Sequence, residues 1–168
     1  MSDILTGMNT LQSRAAELVA CCRATGLTIA TAESCTGGLV AALITTVPGS
    51  SDVFDRGFVT YSNAAKIECL GVPEQLLQKF GAVSEEAAKS MAAGALAHSG
   101  AAIALSVTGI AGPGGGLPAK PIGLVHFALA KRNAAIIAVE RRFGDLGRDG
   151  VRNAALATAI DMLLNAAR

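Results

Sequence analysis

The sequence has almost no net charge. Its 14 basic and 13 acidic residues leave +1 with histidine neutral, and charged residues make up only 16% of the chain. That removes the electrostatic argument for a nucleic acid or an anionic membrane as partner, since both call for a surplus of Lys and Arg. The chain also lacks a Cys-x-x-Cys pair. Cys21, Cys22, Cys35 and Cys69 stand without zinc spacing to a histidine, which fits reduced thiols, a cytoplasmic setting and no bound metal or cofactor. No basic segment followed by an apolar run opens the chain, so no secretory signal is expected. The apolar runs are broken by Gly, Ser or Thr and fall short of a membrane span. Histidine, the commonest general base, is scarce: His98 sits where a helix is expected to end and His126 within an expected strand, both places that suit structural roles. There is no tryptophan and one tyrosine, although 51% of the chain is hydrophobic. Disorder is excluded, and apolar surface covered in a homo-oligomer is expected.

What the chain has instead is alanine, glycine and clear alternation. Its 168 residues suit one domain over 1–168, with 1–9 expected to be a flexible lead-in. Leu11, Ala15, Leu18, Val19 and Cys22 follow helical spacing, and Gly26 stops that helix. "LTIATAE" (27–33) reads as a strand, 36–46 as a helix closed by Pro48-Gly49, and "GFVTYS" (57–62) as a second strand. Asn63 opens a short helix to Leu70, Pro73 begins another, and Ser84 followed by two glutamates opens a helix over 85–98. "AAIALSVT" (101–108) is a buried strand. "IGLVHFALA" and "AAIIAVERRF" read as a hairpin around Lys131 to Asn133, and a final helix carries Val151, Ala155, Ala159, Met162 and Leu163 on one stripe. The order α-β-α-β-α-α-β-β-β-α implies a single three-layer α/β/α sandwich with a mixed, mostly parallel five-stranded sheet.

In such sheets ligands sit beyond the carboxyl ends of the parallel strands. Three polar segments fall there: "AESCTGG", "TYSNAAK" and "TGIAGPGGG". Their convergence on one cleft is the main structural expectation. Ser34 is a candidate nucleophile, with backbone donors from Cys35 and Thr36 onward for an oxyanion, and Gly37 and Gly38 allowing close approach of a ligand. The alternative is that Ser34 or Thr36 caps a helix and the glycines are packing contacts. Cys35 is a rival nucleophile without an evident histidine partner. Glu33 is expected to point away from Ser34 and to anchor the turn through backbone hydrogen bonds. A serine needs a base, and Lys66, one turn into the helix after "TYSN", supplies one if burial lowers its pKa. Tyr61 would relay a proton or hold Lys66, the alternative being a solvated lysine beside a strand-edge tyrosine. The Gly-rich segment lacks the P-loop and dinucleotide spacings but is able to form an anion nest. Thr108 donates to a substrate carbonyl or to Ser34, or only ends its strand. Arg148 and Arg152, four apart on one helical face, are candidates for a phosphate, or form a solvated and paired helix end.

Together "TAESCTGG", "GSSDVFDRGFVTYSNAAK", "GAVSEEAAKSMAAGAL" and "SVTGIAGPGGG…KPIGLVHFALA" resemble the CinA C-terminal family, from about residue 10 to the C-terminus. The resemblance implies an α/β/α sandwich. It implies hydrolysis of the carboxamide of nicotinamide mononucleotide to nicotinate mononucleotide and ammonia, within pyridine-nucleotide recycling and without a metal. The family's serine falls on Ser34, its tyrosine and lysine on Tyr61 and Lys66. Its site-lining segment falls on Ser106 to Pro113, with Thr108 at the polar position and Gly109 and Gly112 among the backbone groups that would meet substrate. Nothing matches the additional N-terminal domain of many family proteins, so a stand-alone form is expected. The run Gly114–Gly116 departs from relatives, which often carry an acidic residue there. A nucleotide-binding module without turnover, a hydrolase of another small amide, and an interaction protein in competence or repair are the other classes to be separated.

Overall fold

In the computed structural model the backbone is described for residues 2–168 and side chains from Thr10 onward. The expected flexible lead-in over 1–9 lies outside the residues described with side chains. Five strands form one sheet, β1 (Ile29–Glu33), β2 (Phe54–Val59), β3 (Ile103–Gly109), β4 (Leu124–Lys131) and β5 (Ile137–Arg142), in the order β2-β1-β3-β4-β5. β1 pairs in parallel with both β2 and β3, whereas β3–β4 and β4–β5 are antiparallel. Four strands therefore point one way and β4 alone runs against them, as expected for a mixed, mostly parallel sheet.

The two faces of the sheet differ in side-chain size, and that difference sets the layers. Ile29, Ile103, Leu105, Val107, Val125, Phe127 and Leu129 form one face, packed in a single core with Leu18, Val19 and Cys22 of α1 (Ser2–Thr25) and Val151, Ala155, Ile160 and Leu163 of α6 (Gly147–Ala167). The residues between them, Ala30, Ala32, Ala104, Ala128 and Ala130, are all small and fully or nearly buried. Side chains one apart on a strand point to opposite faces. The alanine face therefore brings the backbone of α5 (Glu85–Ala97) close to the sheet, and α5 meets it with Ala87, Ala88, Ala92 and Ala95. Ser106 and Thr108 continue this face, and their hydroxyls donate to the carbonyls of Ala88 and Ala82 at 2.6 and 2.7 Å. Two shorter helices, α3 (Asn63–Leu70) and α4 (Glu74–Phe80), complete the α5 layer.

The same alternation separates the two acidic and nucleophilic groups at the end of β1. Glu33 faces the layer of α2 (Leu39–Thr45), and Ser34 faces α3. Glu33 is 1% exposed, and its carboxylate accepts three backbone amides: Gly38 at 3.0 Å and Val40 at 3.1 Å on Oε2, Ala41 at 2.9 Å on Oε1. These are the orphan donors of a helix N-terminus, so the first turn of α2 is capped from a strand rather than from its own N-cap, which is a glycine.

Several boundaries differ from expectation, β5 beginning at Ile137 rather than at 134 among them. α2 begins at Leu39 rather than at residue 36, because Gly37 and Gly38 adopt φ of 63° and 97°, a left-handed conformation that a helix cannot include. β2 runs over Phe54–Val59 rather than 57–62. It is an edge strand, and Asp55 and Arg56, both exposed although on opposite faces, hide its start from a hydrophobic pattern. Among the described residues no helix is long and apolar enough to cross a membrane.

Two stability outcomes follow from these contacts. Glu33→Gln keeps the volume but replaces one acceptor oxygen by a donor, leaving at least one buried amide unpaired; urea unfolding should show a loss of about 2 kcal/mol. Gly94 lies where α5 crosses the end of α3, and a Cβ there would overlap the Leu70 carbonyl and come within 2.9 Å of Leu70 Cβ. Alanine favours a helix interior over glycine by only ~1 kcal/mol, less than the ~2–3 kcal/mol of overpacking, so Gly94→Ala should lower the melting temperature seen by circular dichroism.

Candidate active site

The segment after β1 turns sharply under several backbone restraints. The Ser34 amide donates to Val107 C=O at 2.9 Å, and the Ser34 carbonyl accepts from Gly37 N–H at 3.0 Å. These bonds hold Ser34 at the carboxyl end of the sheet, beside β3. Lys66 arrives from α3, whose N-terminus is capped by Ser62 rather than by Asn63: the Ala65 amide donates to Ser62 Oγ at 3.0 Å. That cap fixes the first turn of α3, and Lys66 follows with its backbone amide on Ser62 C=O.

Lys66 is 1% exposed and is among the largest fully buried side chains of the described residues. Its Nζ lies 3.1 Å from Ser34 Oγ and 2.7 Å from the Thr60 carbonyl. Burial pushes its pKa below the ordinary lysine range, and the nearby thiol of Cys35 partly offsets that. A neutral amine has two N–H donors and one lone pair. With one N–H directed to Thr60, which has no proton to give back, the lone pair is free to accept the Ser34 hydroxyl proton. A hydroxyl and a buried amine are thus in hydrogen-bond contact without a histidine, an arrangement able to serve as nucleophile and base. The Thr60 carbonyl is the partner that the sequence did not reveal, since a backbone acceptor leaves no residue-type signal.

Cys35 is 6% exposed and its thiol is pushed up to about 11, chiefly by burial. At neutral pH it is a thiol, not the thiolate a nucleophile requires. The backbone amides of Cys35 and Thr36 lie near enough to its sulfur to lower that pKa, against the larger effect of burial. Sulfur is a weak acceptor, and a carbonyl oxygen competes well for them. The N-terminus of α2 itself offers no such donors. Glu33 takes Gly38, Val40 and Ala41, and Leu39 N–H reaches Thr36 C=O at 3.4 Å. A third donor is Gly109. Val107 C=O accepts from Ser34 and Ile110 N–H donates to Leu124, so alternation along the strand turns the Gly109 amide toward the β1 side, past the last β1 rung at Val107. A side chain could not replace its hydrogen, because a Cβ at Gly109 would come 2.7 Å from Val125 Cγ2.

The remaining expected residues fall into two groups. Tyr61 is 60% exposed, and its hydroxyl accepts from Arg148 at 2.8 Å rather than bonding Lys66. The same guanidinium donates to Gly112 C=O at 3.0 Å, which ties the loop after β3 to the segment after β2. Arg152 instead reaches the turn at the end of β1, donating to Thr36 C=O at 3.0 Å beside Gly37. Thr108 is buried and gives its hydroxyl proton to Ala82, so it is left only with acceptor capacity. His126 lies against α5 at 3.8 Å from Glu140, away from Ser34, with its pKa lowered mainly by burial. His98 ends α5. The three polar segments do converge, linked by Lys66–Ser34, Ser34–Val107, Arg148–Gly112 and Arg152–Thr36. Two grooves, a mixed one of about 570 Å³ beside the β4–β5 turn and a largely apolar one of about 650 Å³ between α1, α2 and α6, are lined by none of these residues. Among the described residues no three His, Cys, Asp or Glu side chains gather as metal ligands.

Known proteins share this arrangement of elements. The model of the CinA C-terminal domain matches residues 11–167. Nicotinamide-nucleotide amidohydrolase PncC of Enterobacter agglomerans is 50% identical over 143 residues, covering 84% of this chain and 86% of that protein. A CinA-like protein of Kosmotoga olearia is 51% identical over 144 residues, covering 86% of this chain. The chain spans about a third of the length of several such relatives, 34% in that case. The crystal structure of the competence/damage inducible protein CihA from Agrobacterium tumefaciens superposes with a TM-score of 0.90 at 50% identity, over 92% of this chain and 95% of that one. The chain belongs to the CinA C-terminal domain family.

Proposed function

We propose that this chain is a nicotinamide-nucleotide amidase, hydrolysing the carboxamide of nicotinamide mononucleotide to nicotinate mononucleotide and ammonia through an acyl-enzyme on Ser34. The observation that carries the reading is the fully buried Lys66 amine at 3.1 Å from Ser34 Oγ, held by a carbonyl that cannot protonate it. The PncC relative directs the choice of substrate.

Lys66 accepts the Ser34 hydroxyl proton as Oγ bonds to the carboxamide carbon. The carbonyl oxygen becomes an oxyanion held by the amides of Cys35, Thr36 or Gly109. Lys66 returns the proton to the nitrogen as the C–N bond breaks and ammonia leaves. A water then attacks the ester, gives its proton to Lys66, and the carbon–Oγ bond breaks. Ser34 recovers its proton, and the net reaction adds one water across the amide. Arg148, exposed at the mouth between Tyr61 and Gly112, meets the phosphate, with Tyr61 positioning that guanidinium. Four free cysteines agree with a cytoplasmic setting.

Ammonia release from nicotinamide mononucleotide is the direct test. Ser34→Ala and Lys66→Ala should each lower kcat by about 10³-fold or more, and the double variant should lose little further, because nucleophile and base act as a unit. Near-wild-type release in either single variant would sink the assignment. Binding of the nucleotide by calorimetry without ammonia release from the wild type would instead indicate a non-catalytic nucleotide-binding module.

The depressed Lys66 pKa has two consequences of fixed sign. Activity requires the neutral amine, so kcat/KM should rise with pH along a limb of unit slope whose midpoint lies below 10.5, the ordinary lysine value. Between that midpoint and 10.5 the unfolded chain binds one proton more than the folded chain at this position. Stability from this group therefore increases with pH across that window and is lost as pH falls through it. Urea unfolding at a series of pH values should show the rise in the wild type and its absence in Lys66→Met.

A further inference from the structure

The two arginines of α6 meet the site differently. Arg148 is exposed and joins two loops at the mouth. Arg152, one turn further along the helix, has a side chain only 26% exposed and reaches beneath the turn that follows Ser34. Its Nη2 donates to Thr36 C=O at 3.0 Å and lies beside Gly37, where a Cβ would come 3.6 Å from it. Its Nε is buried without a partner. Its nearest carboxylate oxygen, on Asp149, is 3.8 Å from Nη1, and that side chain is 91% exposed. A contact so long and so wet holds a guanidinium weakly. The firm anchor is therefore one backbone carbonyl, in a stretch whose next two residues are glycines at φ of 63° and 97°. The peptide between Thr36 and Gly37 is thus held at both ends, by Arg152 on its carbonyl and by the Ser34 carbonyl on its N–H at 3.0 Å.

We propose that Arg152 is a positioning residue for acyl transfer: it holds the Thr36 carbonyl, whose peptide partner Gly37 N–H donates back to the Ser34 carbonyl, so that the turn from Ser34 to Gly37, with the Cys35 and Thr36 amides inside it, keeps its place under the carboxamide. The proposal rests on the Ser34/Lys66 amidase reading and divides two adjacent cations by task, Arg148 for the phosphate and Arg152 for the turn. The charge of Arg152 acts in the same direction, since it favours negative charge at Cys35. Thr36 Oγ1, buried without a partner, lies in the same turn, so no side-chain bond from Thr36 replaces the tether.

The test compares Arg152→Met and Arg152→Lys with the wild-type chain by two readouts. One is steady-state ammonia release from nicotinamide mononucleotide. The other is the rate at which an alkyl fluorophosphonate labels Ser34, followed by intact mass. Labelling forms a bond from Ser34 Oγ to phosphorus and expels fluoride, with the hydroxyl proton taken by Lys66. It needs the same amides for the phosphoryl oxygen but no nucleotide phosphate. Arg152→Met should lower kcat and the labelling rate together, each by about 30-fold or more, with KM changed by less than about threefold. Arg152→Lys keeps a cation and a donor for Thr36 C=O and should recover most of both rates. Arg148→Met should show its loss mainly in KM. A tenfold rise in KM for Arg152→Met, with kcat and labelling preserved, would make Arg152 a phosphate ligand and overturn the proposal. Equal loss in the Met and Lys variants, with lowered melting temperatures in both, would reduce Arg152 to a packing role and overturn it too. A wild type that is labelled but releases no ammonia ends the amidase reading alone, while the labelling comparison still decides the role of Arg152.

Discussion

A lysine amine with almost no access to water is the constraint on which the site depends. Removing an ammonium from water is costly, and the nearest groups to Lys66 Nζ are a carbonyl and a hydroxyl, neither of which carries a compensating negative charge. The fold therefore favours the neutral amine. It can do so because α3 is capped by Ser62 and closed by Gly71, so the helix has little freedom to swing Lys66 outward. The Thr60 carbonyl, at the end of the adjoining strand, sets the direction of the remaining lone pair.

The second constraint is the two-residue period of β1. Glu33 and Ser34 are neighbours in sequence yet serve opposite layers. The carboxylate stays beneath α2, holding three amides, and keeps its charge away from the serine's face of the sheet. Were both groups on one side, the carboxylate would favour a protonated Lys66. The turn that reverses the chain after Ser34 depends on Gly37 and Gly38, and the capped helix behind it makes that turn a stable platform. A third element, α6, closes the arrangement by sending two arginines back to the loops after β1 and β3. The site is thus assembled from the ends of three parallel strands, the helix α3 that carries Lys66, and the distant helix α6.

Much of the fold was legible locally. Alternation of large and small residues on β3 and β4, Ile103 and Leu105 against Ala104 and Ser106, marks strands buried on both faces. The alanines of α5 are readable as the partner of the small face. β2 was harder, because an edge strand tolerates Asp55 and Arg56, and α2 was overextended, because helical spacing does not reveal where two glycines turn left-handed. Within the site, Ser34 and Lys66 were legible as residue types in the right places. Tyr61 was not: the expectation placed it on Lys66, and the structure puts its hydroxyl on Arg148, a residue 87 positions away. No local pattern carries such a distance.

The sequence by itself determined the layers, the strand faces and which chemical groups stand at the strand ends, since periodicity, propensity and turn residues act over a few positions. Only the tertiary structure decided which of those groups meet. Ser34 and Lys66 are 32 residues apart, Thr36 and Arg152 are 116 apart, and their contacts depend on how a parallel crossover and a closing helix place whole elements. It also lowered the Lys66 pKa, because burial is a property of the packed molecule and not of any stretch of chain.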